Sequence, residues 1–165
     1  MQKNKILFVI SAIILAAASR LIPHIPNFTP ISAMALFGGA CLTDKRLAYS
    51  VPLIAMFLSD LFLGFHNAMI YVYASFVITT FIGIKIRENI TTISVISGSV
   101  ISSVIFFLIT NYGVWEGSRE ISLGATYVLG IPFFGPTMAG DLFYNGILFG
   151  MFYYAQIRNF KLIKT

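Results

Sequence analysis

The chain has 165 residues, of which 58% are hydrophobic and only 10% charged. That composition leaves too little polar surface to cover a soluble globule, so a soluble enzyme or binding domain is excluded and a polytopic membrane protein is expected. The formal net charge of +5 calls for no nucleic-acid partner, because the basic residues sort to one side of the apolar segments.

Six apolar stretches follow one another in a single domain. The first, Lys5–Ile22, follows Lys3 and has the basic start, apolar core and Ala-x-Ala ending of a signal peptide; its run to Pro23 also suits a retained first span. The second, Pro30–Leu42, is short and contains the single cysteine, Cys41, which has no partner for a disulfide and reads as a small buried residue. Leu47–Phe65, Ala68–Ile84 and Ile90–Tyr112 are the next three spans. Thr137–Ile157 is the sixth, with a further apolar segment before it. Pro23, Pro26, Pro30, Pro132 and Pro136 read as helix terminators.

Alternating the loops across a membrane sorts the charges. Lys3, Lys5, Lys45, Arg46, Lys85, Arg87, Arg158, Lys161 and Lys164 fall on one side, and only Arg20 and Arg119 on the other. The positive-inside rule then puts both termini in the cytoplasm of a six-crossing all-α bundle, with the basic fringe against anionic lipid headgroups.

Small residues mark where helices approach closely. Ala12 and Ala16 recur on the first span, Ser94, Gly98 and Ser102 on the fifth, and Gly146 and Gly150 on the sixth. Charges within the spans are rarer and costlier. Arg20, Asp60 and Asp141 are each placed near an outer helix end, in one layer. Arg20 pairing with Asp60 as a structural ion pair leaves Asp141 to be answered by a ligand, a proton or a histidine. Tyr144 and Asn145 share the helical face of Asp141. His24, Asn27, His66, Asn67, Tyr71, Asn111 and Trp115 lie in or beside the outer loops, so the expected ligand pocket opens to the outside. The aromatic rings among them also suit an interfacial belt.

The segments Arg20–Leu42 (RLIPHIPNFTPISAMALFGGACL) and Gly130–Gly150 (GIPFFGPTMAGDLFYNGILFG) resemble a family of small six-span bacterial membrane proteins. That family is regarded as similar to the substrate-binding S components of energy-coupling factor (ECF) transporters. The resemblance implies a subunit of the cytoplasmic membrane that captures a vitamin-like small molecule at its outer face. A transmembrane coupling subunit and two ATPases would power uptake, with Ala12 and Ala16 docking on the coupling subunit. The chain has no Gly-x-x-x-x-Gly-Lys-Ser/Thr phosphate loop of its own, and no catalytic residue, cofactor or resident metal is expected of it. Three other readings stay open: a structural subunit without a ligand, a transition-metal uptake component using His24 and His66, and an intramembrane enzyme built on His24, Asp60, His66 and Asp141.

Overall fold

A computed structural model describes residues 2–23, 25–65 and 67–161. Among them are six α-helices and no strand: α1 (Gln2–Ser19), α2 (Ile31–Cys41), α3 (Lys45–Leu63), α4 (Met69–Ile86), α5 (Thr92–Ser118) and α6 (Leu123–Lys161), with one 3-10 turn, Arg87–Asn89, between α4 and α5. Polar residues start two of them. The Asp44 carboxylate accepts from the Arg46 amide at 2.7 Å to cap α3, and Thr91 and Ser94 form a reciprocal capping box on α5. At the far ends, Gly64 leaves α3 at φ 93° and Arg119 closes α5 in the left-handed region at φ 53°.

The helices form a ring around a hub. The order around the ring is α1, α3, α4, α5, α6, with the α6–α1 contact the thinnest, and α2 inside touches all five. Every α2 residue from Ser32 to Cys41 is buried. At 11 residues it is only about 16 Å long, roughly half a bilayer core. The second apolar stretch is therefore a buried half-length helix and not a lipid-facing span. Because α1 is about 27 Å long, the connection from Arg20 to Pro30 must descend about 10 Å toward the bundle's middle to reach the start of α2.

Glycine makes the hub possible. A Cβ on Gly39 would strike the Thr80 carbonyl oxygen and come within 3.0 Å of Gly83 Cα, so α2 and α4 cross backbone to backbone. Gly98 of α5 turns the same way, with the Leu36 side chain 3.3 Å from where its Cβ would lie. Outside, the ring is apolar: Phe62 is 80% exposed and Leu15 70%. The α3 helix, the segment Met69–Asn89 and α5 are each long and apolar enough to cross a membrane, which marks the chain as a membrane protein.

Two expectations are corrected here. Pro132 and Pro136 do not end helices; both lie inside α6, a single helix of 39 residues. Each removes one backbone hydrogen bond, so the bend they allow falls in the N-terminal half of α6. Ala12 and Ala16 are 5% and 8% exposed in the core, so their small face turns inward and leaves no surface for a partner. The face α1 presents outward is Leu7, Ile14 and Leu15.

The Gly39 crossing gives a direct test. Gly39→Ala should destabilise the protein by about 1–3 kcal/mol through overpacking, read as a lower Tm in detergent. Gly146→Ala, whose Cβ would meet nothing within 4 Å, should leave Tm unchanged or raise it.

Candidate functional site

A buried helix must satisfy the free amides at its N-terminus and the free carbonyls at its C-terminus inside the protein. The α2 helix has Pro30 at its N-cap and no capping side chain of its own. Asp141 supplies the cap from α6. Its carboxylate, 1% exposed, accepts from the Ser103 hydroxyl at 2.7 Å, and the Ser32 hydroxyl and the amides of Ser32 and Ala33 also donate to it. At the opposite end the Arg87 guanidinium donates to the Gly39 carbonyl at 2.7 and 3.1 Å and to the Thr43 carbonyl at 2.9 Å. A carboxyl group thus sits at the positive end of the α2 dipole and a guanidinium at its negative end.

The Asp141 carboxyl group therefore finds hydrogen-bond donors within the bundle, from Ser103, Ser32 and Ala33. Asp141 shares no hydrogen-bond partner with Asp60. The α6 helix begins at Leu123, so Asp141 lies about 27 Å along it, near its middle. Asp60 belongs to a separate network near the end of α3. Arg20 pairs with it at 2.9 Å and also donates to the Ser59 hydroxyl and to Met56 Sδ, while the Tyr73 hydroxyl donates to the other Asp60 oxygen at 2.9 Å.

The same α6 segment holds the descending loop. A Cβ on Gly140 would come within 3.0 Å of the Thr29 amide nitrogen, so the loop backbone lies directly on the helix there. Phe28 packs against Phe143 and Tyr144 with ring centroids 5.5 and 5.8 Å apart. Tyr144 is thus half-buried and spent on the loop.

The remaining candidates divide among three places. Asn27 and Asn111 share a cleft of about 240 Å³ between the C-terminal part of α5 and the N-terminal part of α6, walled by Phe106, Phe107, Phe133 and Phe134. Asn27 holds a left-handed turn at φ 62°, and the Asn111 amide donates to the Phe107 carbonyl at 2.8 Å. Tyr71 and Trp115 lie elsewhere, each packed on Tyr112, with Asn67 beside Gly117. In that cluster Arg119 covers the Trp115 ring and meets Glu116 at 3.6 Å. Asn145 is buried on the far side of Asp141 and donates to Ser99 at 2.7 Å. His24 and His66 lie outside the described residues. Among the described residues, no three His, Cys, Asp or Glu side chains come together as a metal site requires. The outer polar residues consequently do not form one pocket.

Sequence reasoning overlooked Arg87, Ser32, Ser103, Phe28 and Gly140. The available signal was Gly140 beside Asp141, since a small residue next to an intramembrane acid allows another backbone to approach it.

The chain belongs to a family of unknown function, DUF6580, whose family model matches residues 1–163. No curated protein and no solved structure matches it.

Two substitutions separate the carboxylates. Asp60→Asn strands the buried Arg20 charge and should lower stability by about 3–5 kcal/mol. Asp141→Asn keeps the shape but weakens a charge-assisted cap, so a smaller loss, about 1–2 kcal/mol, is expected. Both are read by thermal unfolding in detergent. An unchanged Tm for Asp141→Asn would show that α2 does not depend on this charge.

Proposed function

We propose that the chain is the substrate-capturing subunit of a vitamin-type importer, of the kind represented by ECF S components. In this reading it crosses a bacterial cytoplasmic membrane six times with its basic end inside. A transmembrane coupling subunit and cytoplasmic ATPases supply the energy, and the coupling subunit docks on a face other than that of Ala12 and Ala16. The substrate is a small organic molecule containing a ring.

The observation that carries this reading is the outer cleft. Four phenylalanines offer flat apolar walls, and Asn27 and Asn111 offer carbonyl and amide groups that fix orientation. Its volume of about 240 Å³ falls just below the ~300–1,000 Å³ of drug-sized pockets, which favours a small heterocycle over a large cofactor. The Asn27 loop is anchored at Phe28 and Thr29 against α6, so it is positioned to act as the cover. Capture from outside also needs no phosphate loop in this chain, only a partner that has one.

Native mass spectrometry of the detergent-purified protein should detect a co-purifying small molecule. Asn111→Leu should weaken its retention at least tenfold, about 1.4 kcal/mol, without lowering Tm. No small molecule in repeated preparations, or equal retention by Asn111→Leu, would count against the reading and favour a structural subunit. The orientation is checked separately: in a Cys41→Ala background, Ser118→Cys should react with a membrane-impermeant maleimide on intact cells. Reaction only after the cells are opened would invert the topology.

A further inference from the structure

Gly146 and Gly150 have the spacing of a helix-packing motif, yet a Cβ on either would meet nothing within 4 Å. They open instead onto a chamber of about 1120 Å³ at the basic end of the bundle, between α5 and α6 and below Asp141. Lys5 and Arg87 lie along it, and none of its lining residues is acidic. The Lys5 ammonium rests over the Phe152 ring at 5.2 Å. The Arg87 guanidinium donates to the Gly39 and Thr43 carbonyls. At the deep end lies Asn145, 1% exposed; its amide nitrogen is used on Ser99, and its carbonyl oxygen has no hydrogen-bond partner. Leaving such an acceptor dry and unpaired costs about 1–3 kcal/mol.

We propose that this chamber is a second binding site, for a small organic anion carrying an N–H or O–H donor about 10 Å from its charge. The charge sits between Lys5 and Arg87 in the electropositive mouth, and the donor reaches Asn145 Oδ1. The separation follows from α6, where Phe152, beneath the Lys5 ammonium, lies seven residues from Asn145, about 10 Å along the helix. An inorganic anion is too short to engage both ends. A phospholipid places its headgroup donors at the mouth and presents only hydrocarbon to Asn145. Gly146 and Gly150 keep the wall flat enough for a planar molecule. The site does not rest on the importer reading, and its position on the other side of Asp141 separates it from the outer cleft.

The test uses full-length protein in detergent with Cys41→Ala and Gly146→Cys, and in parallel with Gly150→Cys. Each thiol is reacted with an anionic sulfonatoethyl and a cationic trimethylammonioethyl methanethiosulfonate, and rates are normalised to those of free cysteine. The anionic reagent should react about tenfold faster, and Lys5→Gln should reduce that preference several-fold. Mass spectrometry of the wild-type protein should also find a bound organic anion that Asn145→Leu loses and Asn111→Leu keeps. Equal rates, a cationic preference at both positions, or bound phospholipid alone would overturn the proposal. If Asn145→Leu does not fold, the labelling ratio decides. An anion lost from Asn111→Leu instead would assign it to the outer cleft, leaving the importer reading intact and this one refuted.

Discussion

The bundle depends on closing both ends of a short helix that is buried at every residue after its first. An 11-residue helix enclosed by five others cannot leave its terminal amides and carbonyls to water. Each unsatisfied group in such a setting costs several kcal/mol. Asp141 and Arg87 remove that penalty from opposite ends, and each comes from a segment distant in sequence from α2. They also couple three parts of the chain, since the positions of α6 and of the α4–α5 connection are both set by where α2 begins and ends. Tight crossing at Gly39 and Gly83 then fixes α2 laterally.

Functional consequences follow from the same arrangement. Because Asp141 is committed to α2, the middle of the α5–α6 seam is closed by its bond with Ser103, with one cavity above it and another below. Aromatic rings and amides line the upper space. Cationic side chains flank the lower. A low dielectric strengthens the closing bond as it strengthens any buried charge-assisted hydrogen bond. The two spaces therefore differ in chemistry as well as position.

Much of the helix content was legible in the sequence, because long apolar runs broken by short polar connections have few alternatives. Arg20 and Asp60 were matched on charge and depth, and the structure places them in an ion pair. The misplacement of Asp141 along its helix has one source. Counting residues within an assumed full-length span put Asp141 near an outer surface, when α6 in fact starts well before Thr137 and runs through two prolines. Proline in a membrane helix is tolerated when neighbouring groups take up the freed carbonyls, and no local pattern announces that they will. Ala12 with Ala16 and Gly146 with Gly150 show the converse ambiguity. The spacing is the same, but one pair is buried against neighbouring helices and the other faces an open chamber.

Arg87 shows how far a rule based on counting charges can be pressed. The positive-inside pattern counts it as one of nine equivalent basic residues, and as a contribution to topology it is equivalent. Its two hydrogen bonds to the Gly39 carbonyl of α2 and one to the Thr43 carbonyl just beyond that helix give it a defined structural task as well. Guanidinium suits the position because several donors in one plane reach carbonyls on adjacent turns, which a lysine ammonium cannot do with the same geometry. The resemblance motifs Arg20–Leu42 and Gly130–Gly150 lie against each other for a related reason. One supplies a helix start without a cap, and the other supplies the carboxylate, the glycine and the two rings that hold that start in place. Two segments with 87 residues between them in the chain are, physically, a single unit.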